Sequence, residues 1–369
     1  MDRRAFIKAT LGLSGASLSA TLLHACKRFS SLTPTATQLA QSTTQVPRPT
    51  FTHTPTTVIS PSLTPTKEVP MAQIALVKTE DRTEGVKRAL AMLAPDVKEK
   101  KILIKPNFNS SHPTPGSTHN DVLGTLIQWS QEHGADRISV GDRSGMETTR
   151  NVMEEKGIYA LGEDMNFQVI DFDSLEADQW EVIQFEGCNW SRGIPIARPV
   201  LDADGVISTC CLKTHRYGGH FTMSLKNSVG IVARTIPGDA HRYMSELHES
   251  PKQREMIAEI NLAYQPDIVV LDAIDAFANE GPESGKLVHP GVILVGKDRV
   301  AIDAVGVAIL RNFGSTREVM RGSIFDQDQI ARAVELGLGV EGPEKIEFLF
   351  DDPESEAFAH KIRSGLNRG

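Results

Sequence analysis

Six short apolar runs with amphipathic stretches between them restrict this chain more than any other feature. Residues 74–77, 102–104, 138–140, 206–209, 268–271 and 292–295 are dominated by Ile, Val and Leu. Runs of that length and composition read as strands buried on both faces. Between them, Val86, Leu90 and Leu93 form one helical stripe, Val122, Leu123, Leu126 and Ile127 a second, and Ile302, Val305 and Ile309 a third. Ser250-Pro251 sets up a helix before Met256 and Ile260. Asp326 with Gln329 reads as a capping box on a helix that Gly337 ends. Alternating β and α units predict an α/β fold, a mainly parallel sheet flanked by helices. Residues 71–369 suffice for one large domain or two tightly joined lobes.

In such sheets ligands sit beyond the carboxyl ends of the strands. Five of the predicted strands run there into charged residues: Lys105-Pro106-Asn107, Gly141-Asp142-Arg143, Lys213-Thr214-His215, Asp272 with Asp275, and Gly296-Lys297-Asp298. Taken together they predict one polar rim. The densest stretch, from Lys213 to His241, holds His215, His220, Lys226, Asn227 and four glycines. Imidazoles near neutral pH bind metal or move protons, and a desolvated lysine is a nucleophile or an anion clamp. Candidate catalytic residues are therefore His215, Lys226, His241 and His119. Lys105, Asn107, Lys213 and Asn227 are candidates for holding substrate, and His215, His241 and Asp272 for holding a divalent metal. His119 lies at the start of a helix that Thr118 or Asn120 is expected to cap. Asp298 reads as another N-cap, and Asp303, in an otherwise apolar helix, as a second carboxylate facing the rim. The bland reading of each is a cap, a turn or a satisfied loop polar.

Charge is divided unevenly. Residues 1–70 carry seven basic and two acidic residues, which leaves a balance of −13 in 71–369. An acidic body excludes a broad nucleic-acid footprint. The first 26 residues read as an export signal: basic residues, then an uncharged apolar stretch from Ala9 to Leu23, shorter than a bilayer span of ~20 residues. Arg3-Arg4 with Phe6 and Lys8 resembles the twin-arginine signal, which implies the twin-arginine export machinery as a partner and a place in the cell envelope. Leu23-His24-Ala25-Cys26 resembles a lipobox, making Cys26 a candidate for lipidation and membrane tethering; cleavage nearby without lipidation is the alternative. From 27 to 70, Thr, Pro and Ser fill 24 of 44 positions, a composition expected to form a disordered tether. Only Cys188, Cys210 and Cys211 remain. Cys210 and Cys211 are adjacent in a predicted strand, so they face opposite ways and are expected to be buried thiols.

On these residues the body resembles the domain-of-unknown-function family 362. The marks are K-P-N at Lys105, Thr118-His119, G-A-D-R-I-S-V-G-D ending at Asp142, L-K-T-H ending at His215 and S-L-K-N-S-V-G from Ser224. His241, V-V-L-D-A-I from Val269, E-G-P-E-S-G from Glu280 and K-D-R-V-A-I-D-A from Lys297 complete the series. The resemblance implies a single α/β domain and no assigned reaction. Many relatives carry a ferredoxin-like iron–sulfur module; this chain lacks the cysteines for one, and no iron–sulfur cluster is expected. His215, Lys226 and His241 are also spaced similarly to a His, Lys, His series in the catalytic subunit of nickel-pincer lactate racemase. There, the lysine and a histidine hold the metal–nucleotide cofactor and histidines shuttle a proton. Three functions remain open: a metal- or cofactor-dependent enzyme acting on a small carboxylate or phosphate, a non-catalytic envelope binding protein for a small anion or metal, and an envelope scaffold.

Overall fold

The computed structural model describes residues 56–58, 71–218 and 220–367. The predicted export signal, Cys26 and most of the predicted tether lie outside these residues. Residues Thr56–Val58 (β1) pair in parallel with Trp180–Gln184 (β6), which pairs antiparallel with Ile194–Ala197 (β7). This makes a small three-stranded sheet.

The main sheet takes all six predicted strands as its centre. Ala72–Lys78 (β2), Lys101–Lys105 (β3), Arg137–Asp142 (β4), Gly205–His215 (β8), Ile268–Phe277 (β10) and Val292–Gly296 (β12) are joined by Gln168–Asp171 (β5) and Ile346–Leu349 (β13). The order is β13-β2-β12-β10-β8-β3-β4-β5. Two short strands, His220–Thr222 (β9) and Leu287–Val288 (β11), fold back antiparallel on β8 and β10. The sheet is mainly parallel, as expected, except that β12 runs antiparallel to both neighbours, β2 and β10.

Side chains alternate between faces with the period of two that a pleated strand imposes. Ile74 and Leu76, Leu271 and Ala273, and Val292 and Leu294 join one core, beneath the helices Arg299–Asn312 and Pro353–Leu366. Ala75 and Val77, Val270 and Ile274, and Ile293 and Val295 join the other, beneath the helices Arg82–Leu93 and Asn120–Glu132. A third core, containing Trp180, Trp190 and Ile257, seats the small sheet. All three predicted stripes lie on helices and are buried, except that Leu93, the last residue of the first, is only half-buried.

Three local expectations are corrected. The helix at 328 begins at Asp328 with Gln327 as N-cap, so Asp326 and Gln329 form no capping box. Gln329 is instead buried, with Nε2 3.4 Å from Asp303 Oδ2. Its end is as expected: Gly337, at φ +69°, admits the left-handed turn that lets Leu338 N donate to Ala333 O. Neither Thr118 nor Asn120 caps the helix Asn120–Glu132; His119 does, its Nδ1 accepting from Asp121 N at 3.1 Å. Finally, since β12 is reversed, Lys297 and Asp298 leave the sheet at the edge opposite the other four strand ends. Asp298 caps the helix Arg299–Asn312 there by accepting from Ala301 N. Cys210 and Cys211 are buried, free thiols. Among the described residues no helix is long and apolar enough to cross a membrane.

Candidate functional site

The carboxyl ends of β3, β4 and β8 surround a cavity of about 290 Å³, closed from the side by the segment 224–234. Its wall carries Lys105, Arg143, Lys213, Lys226 and Arg234 against one carboxylate, Asp142. In a body of balance −13, this is a local reversal of charge, and a low-dielectric wall makes it effective on an anion.

The deepest layer is a wired network. Lys105 Nζ, at the end of β3, meets Asp142 Oδ1, at the end of β4, at 2.6 Å, and both side chains are almost wholly buried. Burial pushes the lysine down and the carboxyl up, and their mutual attraction opposes both shifts. Phe108 N and Arg143 N each donate to Asp142 at 2.7 Å, which completes the carboxylate's hydrogen bonding. Asn227 Oδ1 accepts from Lys105 Nζ at 3.3 Å and from Asn107 Nδ2 at 3.4 Å. Asn107 Oδ1 accepts from Lys213 Nζ at 2.8 Å, and Gly116 O accepts from the same amine at 2.5 Å. Lys213 thus has carbonyl partners and no carboxylate in contact among the described residues. Its burial lowers it to about 8.

Gly230 is required against this pair. A Cβ there would collide with Asp142 Oδ1 and stand 2.7 Å from Lys105 Nζ. Gly230 O also accepts from Arg143 N, and the Arg143 guanidinium donates to Val232 O, Ser144 O and Val229 O. The buried arginine fastens the wall segment 229–232 to β4.

Above this layer, Lys226 Nζ lies 3.0 Å from His215 Nε2, its one hydrogen bond among the described residues. The short helix Ser224–Asn227 presents Lys226, and Asp303 holds that helix by accepting from Ser224 N at 2.7 Å and Leu225 N at 3.2 Å. Asp303 therefore lies fully buried behind the site and does not face the rim. Burial, then the positive charges of Lys213 and Arg143, lower Lys226 to about 7. Burial and Lys226 push His215 well below the usual histidine range, so the imidazole is neutral near pH 7. A neutral imidazole beside an amine that titrates near neutrality can exchange a proton with it. Three lining residues also carry buried polar atoms without a partner among the described residues: Asn109 Nδ2, His215 Nδ1 and Thr222 Oγ1. Buried groups are rarely left so, and these three are free to bond a group that enters the cavity.

Of the residues singled out from sequence, Lys105, Asn107, Lys213, His215, Lys226 and Asn227 line this one cavity. His241 does not; its Nε2 pairs with Glu246 Oε2 at 2.7 Å. His119 is occupied as a helix cap. Asp272 is bound to Arg82 at 2.7 Å, and Arg82 reaches Asp275 at 2.8 Å. The expected metal set of His215, His241 and Asp272 is therefore not assembled: each already has a partner, and no group of three metal-type side chains converges among the described residues. Sequence reasoning left Arg234, Asn109 and His248 outside the site. Asp142 and Arg143 were visible as a charged strand end, though not as members of the candidate set.

Fold and cavity together define an α/β protein with a chamber lined by basic side chains at the ends of parallel strands. The chain belongs to the family described as domain of unknown function DUF362, whose model matches residues 102–308. A thylakoid-associated protein of Synechocystis sp. is 27% identical over 220 residues, which are 57% of this chain and 63% of that protein's length. The lactate racemase apoprotein of Thermoanaerobacterium thermosaccharolyticum aligns structurally over 79% of this chain and 86% of its own, with 13% identity and a TM-score of 0.40.

Proposed function

We propose that this chain is an enzyme that binds a small carboxylate or phosphate in the cavity and moves a proton on it through Lys226 and His215. The observation that carries the reading is Lys226: a half-buried amine on the cavity wall whose partner is a neutral ring nitrogen at 3.0 Å. A lysine kept for stability would meet a carboxylate, as Lys105 meets Asp142. In the reading, Lys213 supplies the fixed positive charge for the anion, and Asn107 and Asn227 hold the lysines apart at their stations. His215 and Lys226 then exchange the proton.

Calorimetric titration of the protein with phosphate and with oxalate tests it. Saturable binding is expected, weakened at least about tenfold in Lys226→Met, which corresponds to ~1.4 kcal/mol. Binding that is unchanged in Lys226→Met and in Lys213→Met sinks the assignment. The proposal extends to the N-terminus: export by the twin-arginine route, then tethering to the membrane through lipid on Cys26, in support of which stand Arg3-Arg4 and the Leu23-His24-Ala25-Cys26 sequence. The expected result for Cys26→Ala is release of the protein from the membrane fraction, and for Arg3→Lys with Arg4→Lys its retention in the cytoplasm.

A further inference from the structure

We propose that Lys226 is a covalent nucleophile and that the substrate class is a small oxo acid, joined to Lys226 as an imine. This inference rests on the anion-site reading above and adds the electrophile.

The two cavity lysines without a carboxylate partner are held differently. Lys213 Nζ donates to two carbonyl oxygens, Asn107 Oδ1 and Gly116 O. Those contacts favour the ammonium and leave it a fixed cation for the acid group. Lys226 Nζ has no carbonyl partner among the described residues; its neighbour is His215 Nε2, which takes an N–H hydrogen without demanding a charge. When the amine is neutral, donation to Nε2 directs its lone pair away from the ring, and Lys226 borders the cavity. The charges of Lys213 and Arg143 further disfavour the ammonium at Lys226. Placing a second cation beside a buried lysine is a general way to make it nucleophilic.

Chemistry then follows with residues already in place. The amine nitrogen adds to the carbonyl carbon, and the π pair moves to oxygen. One proton passes from nitrogen to that oxygen through His215 Nε2, giving a neutral carbinolamine. The remaining N–H proton follows the same route to the hydroxyl, the C–O bond breaks, and water leaves as the C=N bond forms. No oxidant, reductant or net proton is consumed.

The test is reductive trapping. The full chain is incubated with glyoxylate and cyanoborohydride, digested, and mapped by mass spectrometry; glyoxylate binding is measured in parallel by calorimetry. The expected result is a carboxymethyl adduct on Lys226 at a yield at least about tenfold above that of surface lysines. It should be suppressed by oxalate, which carries the charge without the carbonyl electrophile, and absent from Lys226→Arg. Should that variant fail to fold, protection of the unmodified protein by oxalate reads the same point. Saturable glyoxylate binding without an adduct, or an adduct on Lys213 instead, overturns the imine and leaves the anion site standing. Failure of glyoxylate, oxalate and phosphate all to bind overturns both.

Discussion

At the scale of single residues, the cavity is a place where stability has been given up. Lys226 is lowered to about 7 and Lys213 to about 8, each chiefly by burial. The unfolded chain holds those protons up to the ordinary lysine range, so between about 7 and 10.5 it binds more protons than the native state. Stability contributed at this position must therefore rise with pH across that window. Lys226→Met removes the buried charge, and its unfolding midpoint should exceed that of the unaltered protein most at or below pH 7, the gap closing toward pH 10.5. Thermal unfolding at several pH values measures this; a gap independent of pH would refute it. Asp142→Asn has the opposite sign. It leaves Lys105 buried without its carboxylate, and such a break costs ~3–5 kcal/mol, read from a denaturant midpoint. Gly230→Ala should push the same pair apart and lower stability by ~1–3 kcal/mol, with loss of anion affinity in calorimetry.

At the scale of elements, the site depends on the short helix Ser224–Asn227, which carries Lys226. Four residues cannot hold a helix by propensity, and this one is pinned by Asp303. Asp303→Ala strands two backbone donors and should cost ~1–3 kcal/mol, together with a drop in anion affinity. Asp303 titrates at about 7, pushed up by burial, against 3.8 ordinarily. Over that interval the native state holds the extra proton, so this residue's contribution declines as pH rises. Asp303→Asn should gain on the unaltered protein between pH 4 and 7. Much of this was legible in advance and some was not. All six apolar runs became strands because burial on both faces leaves no other use for them. Their direction is another matter: 292–295 has the same composition whichever way it runs. What decided it was the connection. The fourteen residues between β10 and β12 include no helix, and β11 within them already folds back antiparallel on the end of β10, whereas a parallel return usually runs through a helix. His215 and Lys226 could be paired from sequence because β8 and the following turn keep them close along the chain. His241 could not be separated from them by spacing, since its partner Glu246 lies on the next helix, Tyr243–Glu249.

At the scale of the whole molecule, labour is divided across the sheet. Strands β3, β4 and β8 supply the cavity, while β10, β12, β2 and β13 build the largest core with the helices that cover it. Binding of an anion to the first set should raise the melting temperature of the entire cooperative unit, by mass action on the native state alone. Phosphate or oxalate at about 100 times its dissociation constant should add ~2.7 kcal/mol, and the rise should vanish in Lys213→Met. Reversal of β12 has one more result. It places β2 parallel to β10 once again, so the carboxyl end of β2 points to the cavity edge and its first residue, Ala72, to the other. A label carried on exposed Met71 would therefore sit at the edge of the sheet away from the cavity and leave its mouth clear.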